Sequence, residues 1–344
     1  MGVFSDRKKT KLLLIRGGFV LIFIVLMCFA DRLLCLKTMH GSSQCLAMYA
    51  QPRNTVDVVM LGSSHMHCDV NPAILWDEHG IASYVFSAAE QPTWITYYYL
   101  LEFCKYQSPE LVVMDLYSPA KYKDDFEITW VGENIYNIRP SLNKILMILS
   151  TCNIDEIKDY FPSFFGYHSR YDNLDKKDLD YLIPSANEAD FKGYTPFFGK
   201  MSGMKPVLDV EEKGNIEPKS EEYLEKIIEY TKEHDIELFL VVNPYPVTAE
   251  QAEIYNRIQE IAEEKEVPFL NANYYWEEMG LDFENDYNDE SHLNYSGGCK
   301  YTTYLGNLLK ERYDLPDRRG DKRYISWQRN KDNLEEKYAE KINN

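Results

Sequence analysis

Short apolar runs alternate with longer amphipathic stretches along most of the chain. A short apolar run between turn residues is typical of a strand buried on both faces, and apolar residues at helical spacing are typical of a helix that covers a sheet. The pattern therefore predicts an α/β fold of three layers, with helices on both faces of a parallel five-stranded sheet. The predicted strands are residues 56–61, 82–86, 111–116, 237–242 and 267–270.

Capping residues mark the helix boundaries between these runs. Asn71 and Pro72 are a good N-cap and first-turn pair for a helix that ends near Gly80. Similar signals predict a helix over residues 93–106 and three further helices, which begin near Ser220, Thr248 and Asn294.

The regular alternation stops between residues 117 and 219, a segment rich in Tyr, Phe, Asp and Lys. We predict that this segment is an insertion that caps the carboxyl edge of the sheet, where loops usually carry specificity. The chain then divides into a basic flank with a membrane segment (1–35), a short connector (36–54), the α/β domain (55–315) and a peripheral charged tail (316–344).

The N-terminus has a basic flank followed by a long apolar run. Lys8, Lys9 and Lys11 precede residues 12–30, in which Arg16 is the only charged residue. A basic flank beside an apolar run is typical of a single membrane-spanning helix whose positive end stays in the cytoplasm. We therefore predict a cell-membrane anchor, with the chain from about residue 36 onward outside the membrane. A cleaved signal peptide that ends near Ala30 is the alternative.

Composition narrows the classes of partner and cofactor. The chain has 37 Lys and Arg against 55 Asp and Glu, and its formal charge of -18 argues against a nucleic-acid partner. The seven cysteines form no Cys-x-x-Cys pair, which argues against a zinc ribbon or a redox-active dithiol. His65, His67, Cys68 and Asp69 could be read as a metal cluster, but only weak geometry supports it. We predict neither a metal nor another cofactor.

Two short motifs carry the candidate chemistry. Gly62-Ser63-Ser64 follows the first predicted strand, at the edge where parallel sheets bind ligands. Asp289 and His292 stand three residues apart, just before the last predicted helix of the domain. An Asp at this spacing can accept the imidazole N–H and leave the other ring nitrogen to face a hydroxyl. A simple turn and a helix-capping loop are the alternatives for the two motifs.

In this order along the chain, the motifs resemble the SGNH, or GDSL-like, hydrolase superfamily. Residues 61–65 are similar to its first block in a Gly-Ser-Ser-His form, and residues 84–92 are similar to its second block. The membrane-tethered SGNH-like proteins of bacterial envelopes, such as D-alanyl-transfer and alginate-acetylation proteins, resemble this chain at residues 97–101, 111–116, 167–170 and 289–294. The resemblance covers roughly residues 55–330.

The resemblance implies roles for several site residues. Ser64 is then the nucleophile, His292 its general base and Asp289 the residue that orients the imidazole. The backbone N–H groups of Ser64 and Ser87 are then the oxyanion donors. Three features depart from the family pattern: Ser63 replaces an Asp, Ser87 replaces a Gly, and no Gly-x-Asn-Asp block follows the third strand. Residues expected to support the substrate or the oxyanion in its place are His65, Gln91, His168, Arg170 and Asn243.

The expected function is acyl-ester chemistry on a glycan or acylated glycopolymer of the cell envelope. Ser64 would form an acyl-enzyme, which either water or a sugar hydroxyl resolves. Transfer to a sugar would need an acyl source, and a membrane acyl-donor protein is the expected partner in that case. The alternative is a protein without catalytic activity that keeps the fold to bind glycan or to scaffold polysaccharide assembly, which the missing third block favours.

Overall fold

A computed structural model of the chain describes residues 2–122, 129–180, 182 and 191–342. The described residues contain a parallel five-stranded sheet in the order β2-β1-β3-β4-β5. Its strands are β1 (Val58–Leu61), β2 (Ser83–Val85), β3 (Leu111–Asp115), β4 (Glu237–Val242) and β5 (Phe269–Asn271). Met60 pairs with Val85 of β2 and with Val113 of β3, which fixes the register at the centre of the sheet. The predicted α/β class and the parallel sheet are confirmed.

Helices connect the strands, and the capping signals mark their ends. Asn71 accepts the Ala73 N–H at 3.0 Å at the start of one helix, and Gly80 ends that helix in the left-handed conformation. In chain order the α-helices are α1 (Gly2–Leu34), α2 (Ser42–Ala50), α3 (Ser64–Asp69), α4 (Pro72–His79), α5 (Thr93–Cys104), α6 (Tyr117–Lys121), α7 (Val131–Ile135), α8 (Leu142–Thr151), α9 (Ile157–Tyr160), α10 (Phe164–Tyr167), α11 (Lys176–Asp180), α12 (Pro218–Glu233), α13 (Ala249–Glu264), α14 (Trp276–Met279), α15 (Tyr295–Arg312) and α16 (Ile325–Ile342). Short 3₁₀ turns cover His168–Asn173, Phe191–Gly193, Ala272–Tyr275 and Lys322–Tyr324.

Alternate residues of the strands face two separate cores. On one face of the sheet, Val59 and Val112 pack with buried side chains of α5, α12 and α13. On the other face, Val58 and Val113 pack with buried side chains of α3, α4 and α15. Because side chains alternate along a strand, each strand is buried on both faces, as its continuous apolar sequence requires.

The N-terminal helix is long and apolar enough to cross a membrane. Lys9–Leu34 form 26 helical residues, and an 18-residue window within them has a mean hydropathy of 2.7 and is not buried by the rest of the chain. The last turn of α1 is held against the insertion. The Tyr167 hydroxyl donates to Asp31, and the Arg170 guanidinium donates to the backbone oxygens of Leu34 and Cys35.

The segment predicted as a connector contains α2 and belongs to the core. Cys45 and Met48 are almost fully buried in the core on the α5 side of the sheet. The Tyr84 hydroxyl donates to the backbone oxygen of Gln44 at 2.6 Å, which ties α2 to β2. The sequence of α2 does not have the apolar pattern of a core helix, because Ser42, Ser43 and Gln44 are polar although they are buried.

The segment predicted as a peripheral tail is also part of the domain. Arg318 donates to both carboxylate oxygens of Asp57, at 2.9 and 2.7 Å, just before β1. Trp327 in α16 is 1 % exposed, and its indole N–H donates to the backbone oxygen of Ser83 at 2.9 Å. The many charges of this segment lie on the solvent side of a helix whose few apolar residues pack against α4.

Candidate active site

The strand order of the sheet reverses at β1, since β2 lies on one side of it and β3 on the other. In open parallel sheets such a reversal leaves a crevice at the carboxyl ends of the strands, where ligands bind. Gly62 turns the chain out of β1 with φ 147°, and a Cβ at this position would lie 2.8 Å from the Cβ of Asp115. Ser64 then begins α3, directly at the crevice.

The structure brings Ser64, His292 and Asp289 together. The Ser64 Oγ lies 2.8 Å from His292 Nε2. His292 Nδ1 lies 3.0 Å from one carboxylate oxygen of Asp289 and 3.1 Å from the other. The side chains of His292 and Asp289 are 21 % and 41 % exposed, so a substrate can reach them from solvent. The hydroxyl, the imidazole and the carboxylate are thus arranged in space in the order that acyl transfer through a serine requires.

Asp289 is surrounded by hydrogen-bond donors. Its carboxylate accepts the backbone N–H groups of Ser291 and His292 and the side-chain amide of Asn288, each at 2.9 Å. Partial burial alone would raise the pKa of Asp289, but the hydrogen bond and charge interaction with His292, together with the other donors, lower it below its ordinary value. An ionised Asp289 holds the proton of His292 on Nδ1, so Nε2 can accept the proton of Ser64.

The loop that carries His292 is clamped to α3, the helix that carries Ser64. The backbone N–H of Leu293 donates to the carboxylate of Asp69 at 2.9 Å. The Ser291 Oγ lies 2.9 Å from His65 Nε2. Since Asp69 and His65 are both fully buried residues of α3, one short helix determines the positions of both Ser64 and His292.

Ser291, His65 and Asp69 form a second hydroxyl–imidazole–carboxyl arrangement, interlocked with the first. His65 Nδ1 lies 3.5 Å from the Asp69 carboxyl, which is long for a hydrogen bond. Burial lowers the pKa of His65 and raises the pKa of Asp69, which disfavours the charged form of each group. The Tyr117 ring stacks on the His65 ring at 3.9 Å. His65 therefore positions the loop that carries His292, in place of the expected contact with substrate or oxyanion.

Ser87, which the resemblance predicts as the second oxyanion donor, follows β2 next to the turn at Gly62. The Phe86 N–H donates to the backbone oxygen of Met60 at 2.8 Å, so the pairing of β1 with β2 continues past the strands and brings Ser87 beside Gly62. The Ser87 Oγ lies 2.9 Å from Nδ1 of the fully buried His67. In the part of the chain that the structure describes, the backbone N–H groups of Ser64 and Ser87 donate to no other group, which leaves both for a substrate oxygen.

The two amides expected to support the oxyanion are engaged elsewhere. Asn243 donates to the backbone oxygen of His65 at 2.8 Å and accepts the Tyr301 hydroxyl at 2.6 Å, so it braces α3 from below. Gln91 is fully buried, where it donates to Asn134 at 3.4 Å and accepts the Thr96 hydroxyl at 3.1 Å. Both residues stabilise the walls of the site, and neither replaces the missing third-block donor.

The expectation that His168 and Arg170 reach the site is wrong. Arg170 donates to the end of α1 and to the carboxylate of Asp178. His168 is exposed, and its Nδ1 lies 2.7 Å from the backbone oxygen of Phe165. This part of the insertion packs against the N-terminal helix rather than over the carboxyl edge of the sheet.

An aromatic rim of three side chains extends from one side of the His292 imidazole, and no sequence motif predicts its members. The Phe197 ring lies 5.9 Å from the His292 ring, and the His40 ring lies 6.5 Å from Phe197. Trp130, which is 39 % exposed, lies 5.4 Å from His40. These residues come from the presumed connector and from the insertion, so no spacing in the sequence links them to the triad.

The chain matches no protein-family model and no curated protein. In the segment that could be read as a metal cluster, both imidazoles already contact other side chains: His65 faces Ser291 and His67 faces Ser87. Among the residues described, no group of three or more His, Cys, Asp or Glu side chains is placed to hold a metal ion.

The buried carboxyl of Asp115 is expected to make the stability of the fold depend on pH. Asp115 at the end of β3 accepts the Ser63 hydroxyl at 3.3 Å, and burial raises the pKa of Asp115 to about 7. In the unfolded chain an Asp titrates near pH ~4. The stability that the neutral carboxyl contributes is therefore complete below about pH 4 and is lost as the pH rises through about 7. We expect the melting temperature of Asp115→Asn to fall less than that of the wild type between these limits.

The matched control for this prediction is Asp332→Asn, which replaces an exposed carboxylate in α16. Its melting temperature should follow the wild-type pH dependence. Equal pH dependence of Asp115→Asn and the wild type would show that Asp115 is ionised in the native state, contrary to the prediction.

Proposed function

We propose that the chain is a membrane-anchored, SGNH-like serine esterase or O-acyltransferase that acts on acyl esters of cell-envelope glycans. The observation that carries the proposal is the 2.8 Å contact between the Ser64 Oγ and His292 Nε2, with Asp289 on the other ring nitrogen. A loop that only capped α15 would not need an imidazole aimed at a hydroxyl 228 residues away in the chain. The strand order and the place of Ser64 after β1 agree with the resemblance to the SGNH superfamily.

The reaction proceeds in two displacements at the acyl carbon. Ser64 Oγ attacks the ester carbonyl while His292 Nε2 takes the hydroxyl proton, and a tetrahedral oxyanion forms. The oxyanion collapses, the bond from carbon to the leaving oxygen breaks, and His292 gives its proton to that oxygen. Water or a sugar hydroxyl then attacks the acyl-Ser64 ester, His292 takes the proton of the attacker, and Ser64 leaves and regains it.

The surroundings of the site support a glycan as substrate. Trp130, His40 and Phe197 form an aromatic rim next to the imidazole, and exposed aromatic faces are suited to the apolar faces of sugar rings. A cytoplasmic N-terminus with α1 in the membrane would hold the domain at the outer surface, where envelope polymers and a membrane acyl-donor protein are within reach.

The test uses the full chain in detergent. A serine-reactive fluorophosphonate should form an adduct that peptide mapping places on Ser64. Incubation with an O-acetylated oligosaccharide should release acetate if water resolves the acyl-enzyme. Acetyl groups should instead appear on an added unacetylated oligosaccharide if the protein is a transferase. The absence of both adduct and acetyl movement would refute catalysis and favour the glycan-binding alternative, which the engaged amides of Gln91 and Asn243 otherwise support.

The clamp on the catalytic loop predicts different effects for two substitutions of Asp69. Asp69→Ala leaves the buried Leu293 N–H without an acceptor, which costs about 1–3 kcal/mol. We expect the rate of fluorophosphonate labelling to fall by roughly tenfold, since a loop that detaches misplaces the base. Asp69→Asn keeps an acceptor for the Leu293 N–H, so its labelling rate should stay close to that of the wild type. Equal rates for both variants would refute the clamp.

A further inference from the structure

A cavity of about 430 Å³ lies between the end of α1 and the insertion, away from the triad. Its volume is within the range of sites that hold small molecules or parts of lipids. The α1 side of the cavity consists of Met27, Cys28, Asp31 and Arg32, followed by Cys35. Apolar side chains that include Leu46, Phe161 and Phe164 line the opposite side.

The cavity runs along the part of the chain where the candidate membrane span ends. From Met27 to Cys35 a helix rises by about 12 Å. The candidate span ends at Leu34, so Met27 lies within it and Cys35 lies just beyond it. A ligand that entered along α1 would therefore have one end at the depth of the acyl chains and the other at the membrane surface.

The charge of the lining is opposite to that of the whole chain. Arg32, Arg139 and Lys144 line the cavity together with a single acidic residue, Asp31, whereas the chain has a formal charge of -18. The carboxylate of Asp31 already accepts the Tyr167 hydroxyl. The lining therefore has an excess of positive charge in a strongly acidic protein.

Of the three cations, Arg32 is the one left for a ligand. The Lys144 ammonium donates to two backbone oxygens and to Ser163, at 2.9, 2.7 and 2.6 Å. The Arg139 guanidinium lies 4.2 Å from the centre of the Tyr49 ring. The Nε of Arg32 is buried without a hydrogen-bond partner, and within the described ranges no carboxylate pairs with its guanidinium. A buried cationic N–H without an acceptor is costly, so this position calls for an anion.

We propose that this cavity binds a membrane phospholipid with an anionic headgroup. One acyl chain lies along α1 toward Met27, at the depth of the candidate span, and the phosphate accepts the N–H groups of Arg32. A lipid fits better than a free anion, because the cavity continues to Met27 within the candidate span. The proposal rests on α1 crossing the membrane, which is part of the proposed function. The bound lipid would fasten the domain to the end of its anchor.

The experiment uses the full chain reconstituted in vesicles of equal parts phosphatidylglycerol and phosphatidylcholine. Flotation of the vesicles after an alkaline wash measures whether the chain is integrated. Native mass spectrometry after mild detergent extraction then counts the lipids retained. We expect one phosphatidylglycerol per chain, retained in clear preference to phosphatidylcholine.

Two variants and a control define the site. Arg32→Gln should lower retention of phosphatidylglycerol by roughly tenfold, as expected for the loss of a charge-assisted hydrogen bond. Leu46→Trp should lower retention of both lipids by filling the cavity. Arg329→Gln removes the same charge from an exposed position of α16 that does not line the cavity, and it should retain lipid like the wild type. Melting temperatures close to that of the wild type show that the variants are folded.

The outcomes separate this site from the proposed function. A chain that floats with the vesicles but retains no lipid, or retains both lipids equally with and without Arg32, overturns the lipid site and leaves the anchor. A chain that does not float overturns the anchor and the lipid site together. Fluorophosphonate labelling of Ser64 depends on neither and is measured on the same samples.

Discussion

Ser64→Ala is expected to abolish labelling by a fluorophosphonate and to lower aryl-acetate turnover on the order of a thousandfold or more. The reason is that the Ser64 Oγ is the hydroxyl 2.8 Å from His292 Nε2, and only a hydroxyl that loses its proton to a base forms the acyl-enzyme at a useful rate. Gel fluorescence of the labelled full chain and steady-state hydrolysis of an aryl acetate measure the two effects.

Two neighbouring serines provide matched controls. Ser63 precedes the nucleophile, is fully buried and donates to Asp115, so Ser63→Ala should label at a rate close to that of the wild type. Ser291 lies beside the imidazole of His65, and mapping the label in Ser64→Ala tests whether this second arrangement reacts. Undiminished labelling of Ser64→Ala would reject Ser64 as nucleophile, and a label that moved to Ser291 would identify the other serine.

Asp289→Asn is expected to reduce kcat by roughly a thousandfold to ten-thousandfold. The Asn amide would present an N–H to His292 Nδ1 from the position of the carboxylate oxygen that now lies 3.1 Å from this nitrogen. The imidazole would then carry its proton on Nε2 and could not accept a proton from Ser64. The remaining amide oxygen can still accept the backbone N–H groups of Ser291 and His292, so the loop should stay in place.

The control for this substitution is Glu290→Gln, which removes the same charge from the adjacent, exposed side chain. It should leave kcat and the melting temperature nearly unchanged. If Glu290→Gln and Asp289→Asn slowed the reaction equally, the effect would come from the charge of the loop, and the orienting role of Asp289 would be wrong. A lower melting temperature confined to Asp289→Asn would indicate a displaced loop instead of a changed tautomer.

The elements with strong local signals were predictable from sequence. The apolar run before Gly62 contains a buried parallel strand, and Asn71 and Gly80 bound a helix where their capping chemistry indicates. Such predictions succeed because hydrogen bonding, capping and burial on one face are determined within a few residues. The predictions that residues 36–54 are a connector and that residues 316–344 are a peripheral tail are wrong because the burial of these segments depends on contacts far away in the chain. The first buries polar residues through long-range hydrogen bonds, and the second buries Trp327 within a highly charged helix.

The chain order placed a serine after the first strand and Asp-x-x-His before the last helix of the domain, and composition argued against nucleic acid. The amino-acid pattern does not predict the contact between Ser64 and His292. These residues are 228 positions apart and meet only through the packing of α3 against α15 and its preceding loop. That packing decided that Ser64 faces His292 and that His65 and Asp69 hold the loop, whereas the packing of the insertion against α1 decided that Arg170 lies at the end of α1. Each of these side chains is short compared with the domain, so it reaches only residues on the helices, strands and loops that pack beside its own. Which elements pack together cannot be read from the spacing of residues along the chain.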